Sequence, residues 1–233
     1  GSSAQARMAL QNFQEECAFI YLYEPMDFNF SVMCNLGAKK AGGEYLLLLN
    51  DDMEVLADCA DWLDRMVGQA SLRHVGAVGA KLLYPNSTLI QHAGVTNTIS
   101  GPGHKLKGLD DTQSYYYGRN KLVYDMIGVT AACLLIRTKV YRALGGLYEG
   151  LRVAYNDVDL CFRLCEKGLC NVQRNDVVLY HHESLSRGDD MQDEGKFKRL
   201  MEEKDVLYRR HPRLSAQDPY NGTIRNTGAP EYE

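Results

Sequence analysis

Residues 45–55 read Tyr45-Leu46-Leu47-Leu48-Leu49-Asn50-Asp51-Asp52-Met53-Glu54-Val55. Five apolar residues without alternation, entered from Gly42-Gly43 and left through an amide and two carboxylates, predict a strand buried on both faces. Such strands belong to α/β sheets covered by helices, where ligands bind beyond the carboxyl ends of the strands. Asp51 and Asp52 fall at that end, where paired carboxylates suit a hard divalent cation bridging to a diphosphate. Asn-Asp-Asp is also good turn chemistry, so the pattern alone leaves both readings open.

Outward from this stretch, helices and strands alternate. Upstream, residues 4–16 read as a helix with Ser3 as its N-cap and Ala6, Leu10 and Phe13 along one side. Residues 17–23 read as a short strand, and 30–41 as a helix stopped by Gly42-Gly43. Downstream, Asp58 is the expected cap of a helix with Trp62, Leu63, Met66, Val67 and Ala70 on one face. Residues 75–83 and 89–95 are strand-like around the turn Pro85-Asn86-Ser87. Residues 100–122, with three successive tyrosines, read as a long irregular loop of the kind that is more often functional than not. A second apolar run, 127–136, precedes a helix from Thr138 that stops at Gly145-Gly146. Asn156 is the expected cap of a helix ending at Gly168, residues 169–181 hold two short strands, and 191–211 form an amphipathic helix ended by Pro212. The order gives an α/β fold with a mainly parallel or mixed sheet over residues 1–211, and a flexible polar tail over 212–233.

The chain has 233 residues, of which 45% are hydrophobic, enough for a substantial core. Its 26 basic and 30 acidic residues nearly cancel, which argues against a general nucleic-acid binder. The longest apolar stretch, 126–136, falls short of the ~18 to 20 residues that span a bilayer. Seven irregularly spaced cysteines, with no secretory leader pattern, point to a reducing cytoplasm.

Four further groups could carry chemistry. Asn156-Asp157-Val158-Asp159 opens a helix, where the free N–H groups favour an ionised carboxylate fit to act as a base. The plain alternative is a cap with dipole-complementing aspartates. His181-His182 follows a strand, and alternation means a single metal would take only one of the two. Cys161, Cys165 and Cys170 invite a zinc reading, but their spacing lacks a Cys-x-x-Cys knuckle and suits buried thiols better. Tyr115, Tyr116 and Tyr117 could stack on a sugar or pin the loop to the domain.

In combination, 45–55, 129–147 (Val-Thr-Ala-Ala onward), 155–168 (Tyr-Asn-Asp-Val-Asp onward) and 180–188 resemble the inverting family 2 glycosyltransferases of the GT-A fold, closest to bacterial enzymes of rhamnose-containing and O-antigen polysaccharides. Residues 28–45 fit the same group. The resemblance implies Asp52 and His181 as ligands of Mg²⁺ or Mn²⁺, with Asn50 and Asp51 facing the donor, a UDP- or dTDP-sugar. It implies Asp157 as the catalytic base, with Asn156 where the family has glutamate, and Thr130 and Ala131 in an acceptor-site turn. The acceptor would be a glycan or lipid-linked glycan, met in the cytoplasm or at the inner membrane face. Gly1-Ser2-Ser3 resembles the end of the family's nucleoside-binding segment, so a strand, a helix and a second strand are expected to be absent here. An unpaired sheet edge and self-association through it would follow. The competing enzyme class is a sugar-1-phosphate nucleotidyltransferase, which would want a Gly-rich basic loop near its start. The non-enzyme alternative is an inactive glycosyltransferase-like binding module.

Overall fold

The computed structural model describes residues 4–98, 100–182 and 193–223. Helix α1 (Ala4–Glu16) is followed by irregular chain and by α2 (Phe30–Lys40), where Asn29 in extended conformation accepts the Val32 N–H as an N-cap. Strands β1 (Tyr45–Leu49) and β2 (Met53–Val55) flank the acidic turn; a 3₁₀ turn (Ala57–Cys59) leads into α3 (Trp62–Ala70). Then come β3 (Val75–Leu83), β4 (Ile90–His92), β5 (Val95–Thr98), β6 (Gly101–His104), β7 (Val123–Met126) and β8 (Cys133–Arg137). The remainder is α4 (Thr138–Ala143), α5 (Asn156–Glu166), β9 (Cys170–His181), α6 (Glu194–Arg210), α7 (Pro212–Ala216), β10 (Gln217–Asp218) and β11 (Gly222–Thr223).

The main sheet has the order β1-β8-β3-β9-β2, with β4 added on β3 and β7 on β9. Strand β3 runs parallel to β9, and β8 runs antiparallel to both β3 and β1, so β1, β3 and β9 point their carboxyl ends the same way. The sheet is mixed, as the sequence predicts. Side chains alternate between its faces. Val78, Leu135, Val177 and Leu179 pack with Met66 and Ala70 of α3. Ala77, Leu134 and Ile136 pack on the other face with Tyr141 of α4 and Leu160 and Leu164 of α5. Every residue of β3 is buried, as a strand covered on both faces must be.

Several local expectations change. Strand β1 is an edge strand among the described residues: Leu46 is buried but Leu49 is 44% exposed, because β8 is its one neighbour. Residues 17–23 form no strand, since an apolar run without a ladder partner has nothing to bond, and Ile20 is 68% exposed. Asp58 lies in the 3₁₀ turn rather than capping α3, which begins after Asp61. The 89–95 run splits at Gly94, whose φ of 103° breaks the strand. Of the 127–136 run, the final residues alone join β8. Asn156 is the first residue inside α5, not its cap; the cap position is Tyr155, in left-handed conformation. The pair of strands expected over 169–181 is one strand, β9, bulged between Arg174 and Val178. Residues 212–223, expected as the start of the tail, form α7 and the β10–β11 pair, and Asp218 is buried. Ser3, residues 191 and 192 of the predicted last helix, and the tail from 224 lie outside the described residues.

Residues 101–104 of the expected long loop form β6, paired with β5, and the rest of the loop is pinned by a buried lysine. Lys81 of β3 donates to both oxygens of Asp111, at 3.0 and 2.8 Å, and to the Asn120 carbonyl at 2.7 Å. Tyr115 donates its hydroxyl to the Asp110 carbonyl and packs against the buried cluster of Leu83, Ile90, Ala93 and Leu106, whereas Tyr117 is 93% exposed.

A second buried charge fastens the C-terminal helices to α5. Fully buried Asp159 takes hydrogen bonds from Arg163 (2.8 Å), Arg210 (2.7 Å) and His211 (3.0 Å), and the other ring nitrogen of His211 meets Glu166 at 2.8 Å. Burial lowers the His211 pKa, but its bonds to Asp159 and Glu166 outweigh that and raise it above 6.5. Burial likewise pushes Asp159 up, and His211 with the two arginines overcomes it, leaving Asp159 below the usual carboxylate range. A raised histidine stabilises the fold fully below its unfolded value, and that contribution fades as pH rises through the folded value. The difference in thermal midpoint between the native chain and His211→Gln should therefore be widest at about pH 6 and shrink as pH climbs, measured by calorimetric scans across that range.

Candidate active site

The acidic turn crosses the carboxyl edge of the sheet. Leaving β1, Asn50 donates its backbone N–H to the Ala132 carbonyl at 3.0 Å, just before β8 begins. The chain then passes to the far side of β9, where β2 pairs antiparallel with Met53 opposite His181. The His182 N–H closes the crossing on the Asp52 carbonyl at 3.0 Å. Because β1 and β9 end on the same edge, the last residues of one and the histidine of the other must meet there.

They do so through side chains. His181 is buried and its Nε2 lies 3.1 Å from Asp52 Oδ1 and 3.3 Å from Asn50 Nδ2. Its Nδ1 lies 2.7 Å from Gln91 Oε1, and Gln91 Nε2 donates to the His181 carbonyl at 3.3 Å. An amide oxygen only accepts, so Gln91 puts the ring proton on Nδ1 and leaves Nε2 with its lone pair turned to the turn residues. Asp52 Oδ1 is a buried oxygen that accepts no hydrogen bond. The two atoms lie 3.1 Å apart without a hydrogen bond between them, so each keeps an electron pair that could be offered to a cation. That donor set fits a hard cation with one carboxylate and one imidazole from the protein. Among the described residues no group of three or more His, Cys, Asp or Glu converges to hold a metal. Two ligands suffice where phosphate oxygens and water complete the shell, the usual arrangement for Mg²⁺. His182 points elsewhere, to Glu54 at 2.9 Å, as strand alternation requires.

The predicted base sits at the other side of the same edge. Asp157 in the first turn of α5 accepts the Val158 N–H at 2.8 Å through Oδ1 and the Ala131 N–H at 2.9 Å through Oδ2. Thr130 is half-buried, and its hydroxyl accepts the Ala132 N–H at 3.3 Å. Asp157, Ala131, Ala132, Asn50, His181 and Asp52 are thus joined in one run of hydrogen bonds and close contacts. Asp51 is exposed beside them.

The turn is held down by a missing side chain. A Cβ on Gly79 of β3 would lie 2.5 Å from Val129 Cβ and 2.9 Å from its Cγ1, so the 129–132 turn lies flat on the sheet. Beneath it, Cys161 of α5 is buried with its thiol pushed well up by desolvation, and it touches the Val129 backbone. The zinc reading of the cysteines finds no converging cluster among the described residues. Gln91 escapes sequence reasoning, although a polar residue inside a strand-like run, buried from 90 to 93, was a usable signal.

No family model matches the chain. An uncharacterized protein of Sinorhizobium fredii, y4gI, is 42% identical over 208 residues, covering 87% of this chain and 22% of its own. The O-antigen biosynthesis protein RfbC of Myxococcus xanthus is 43% identical over 162 residues, covering 69% of this chain and 12% of its own. The chain therefore spans less than a quarter of either relative. Among solved structures, the mannosyltransferase PcManGT from Pyrobaculum calidifontis, in complex with GDP-Man and Mn²⁺, superposes with a TM-score of 0.57 at 14% identity, over 92% of this chain and 60% of its own. GalNAc-T7 with UDP, GalNAc and Mn²⁺ gives 0.62 at 14% identity, over 94% of this chain and 44% of its own. At that identity the likeness shows the fold: a mixed α/β sheet flanked by helices, of the GT-A type.

Replacing Gly79 by alanine should lift the 129–132 turn and cost about 1–3 kcal/mol, the usual penalty of overpacking. Urea unfolding of the native chain and Gly79→Ala measures it.

Proposed function

We propose that this chain forms the catalytic part of a glycosyltransferase that moves a sugar from a nucleoside diphosphate to a hydroxyl of a glycan or lipid-linked glycan, with inversion at the anomeric carbon. The observation that carries the reading is the run of contacts from Asp157 through the 130–132 turn and Asn50 to His181 and Asp52 at the carboxyl edge of the sheet. The relative named for O-antigen biosynthesis and the GT-A fold support the same class. A polysaccharide of the O-antigen type, with rhamnose among its sugars, is the proposed product class. No helix among the described residues is long and apolar enough to cross a membrane. A cytoplasmic site of action, facing a lipid-linked acceptor, is part of the proposal.

In this reading Asp52 and His181 hold Mg²⁺ or Mn²⁺. A divalent cation there would offset the charge that builds on the departing diphosphate. Asn50 and Asp51 face the donor. Asp157 takes the proton from the acceptor hydroxyl, whose oxygen forms the new bond to the anomeric carbon while the diphosphate leaves from the opposite face. One displacement needs no enzyme nucleophile, so the base must be fixed in line with the bond that breaks. The two N–H bonds to Asp157 hold its carboxylate still while leaving lone pairs for the proton. Thr130 and Ala131 form the floor on which the acceptor hydroxyl would rest.

Two measurements test this. Titration of UDP or dTDP in the presence of Mn²⁺ should show metal-dependent binding that Asp52→Ala weakens by at least about tenfold, as loss of a charged metal ligand does. Nucleotide binding indifferent to Mn²⁺ and to that substitution would overturn the metal assignment. Asp157→Asn should keep Mn²⁺-dependent nucleotide binding yet lower release of nucleoside diphosphate about 10²–10⁴-fold, the usual share of a general base.

A further inference from the structure

Helix α5 has to begin at one defined place for Asp157 to reach Ala131, yet no side chain caps it. Asn156 instead donates to the Val153 carbonyl, and the residue before it, Tyr155, is held at φ 57° and ψ 8°, a conformation that a non-glycine residue adopts only under constraint. What fixes the turn comes from about fifty residues downstream. Glu203 of α6 is 6% exposed, and its Oε1 accepts the N–H groups of Arg152 and Val153 at 3.0 and 3.2 Å. Its Oε2 accepts the Ala154 N–H at 2.5 Å. The carbonyls of the same segment are taken from the opposite side by the start of α2. The Ser31 hydroxyl donates to Leu151 O at 2.6 Å, and the Phe30 N–H to Arg152 O at 2.8 Å. The segment 151–154 is thus clamped between two helices, the amides of 152–154 on α6 and the carbonyls of 151 and 152 on α2.

We propose that Glu203 is a positioning residue for Asp157: by gathering three consecutive backbone N–H groups it sets the 152–155 turn, and with it the start of α5 and the direction of the Asp157 carboxylate. The proposal rests on the reading of Asp157 as the base. A carboxylate is the group suited to the task, because charge-assisted bonds to several N–H donors outweigh the cost of burying it. Without it three consecutive amides of a part-buried turn lose their shared acceptor. The metal-side residues Asn50, Asp52 and His181 make no contact with this clamp, so the two halves of the site separate by experiment.

Glu203→Ala and Glu203→Gln in the same chain provide the test. Amide exchange of residues 152–154 should speed up at least about tenfold in Glu203→Ala, the mark of a local opening. The Ala131 amide proton, which reports its bond to Asp157, should shift in NMR spectra toward its position in Asp157→Asn. Mn²⁺-dependent UDP binding should stay within about twofold, because the bonds of Glu203 go to residues 152–154 and none to Asn50, Asp52 or His181. Release of nucleoside diphosphate should fall in kcat rather than KM, by up to about a hundredfold for a misaligned base. Glu203→Gln, which keeps an amide oxygen as acceptor and nearly the same shape, should recover part of each change; it also carries the test should Glu203→Ala fail to fold. An Ala131 amide unmoved in both variants would overturn the proposal. A native chain that binds no nucleotide with Mn²⁺ would instead count against the transferase reading, and the Ala131 shift would still decide whether Glu203 aims Asp157.

Discussion

The parallel ladder between β3 and β9 is the contact on which the rest of the molecule is arranged. A parallel pair must be covered on both faces, which fixes α3 on one side and α4 with α5 on the other. It also delivers His181 to the edge where β1 ends. With β8 reversed between β1 and β3, the start of β8 and the exit of β1 lie side by side, and this is why the Ala132 carbonyl can take the Asn50 N–H. The candidate site is a consequence of strand direction before it is a matter of side chains.

Much of this was legible in the sequence. The alternation of elements and the site of the acidic turn follow from apolar runs, and the two-residue period of a strand says that one of His181 and His182 faces the turn, while the family resemblance chooses His181. The residues quoted for the family resemblance are the ones the fold gathers: Asn50, Asp52, Asp157 and His181 come from three separate segments and meet at one edge. What failed was neighbourhood. Residues 17–23 have strand composition but no partner to bond, and the leucines of β1 look fully buried in sequence although one neighbour leaves Leu49 half open. Periodicity describes one segment, and pairing depends on another.

The hydrogen-bonding side chains were the least legible. Gln91, Glu203 and Asp159 act on residues far from them in the chain, and each belongs to a type that commonly faces water. Glu203 stands among other charged residues of α6 with nothing in the spacing to single it out. In sequence Asp159 belongs to a motif open to two readings, a base or a complement to the helix dipole, whereas it is the buried centre that binds Arg163, Arg210 and His211. Both draw the C-terminal helix onto α5, so a segment that resembles the family only loosely is tied to the most family-like part of the chain.

The same interleaving of strands governs how the molecule comes off the ribosome. The ladder partner of β1, Cys133–Arg137, emerges only after six intervening strands, and β3 waits through five strands for Cys170–His181. Almost none of the main sheet can close as local hairpins, so folding must join ends that are distant in sequence, a slow route that leaves apolar strands uncovered meanwhile. The nascent Tyr45–Leu49 and Val75–Leu83 segments therefore keep apolar side chains uncovered until their partners have been translated, and a chain stopped before residue 170 would be left with the wholly buried β3 unpaired along one edge.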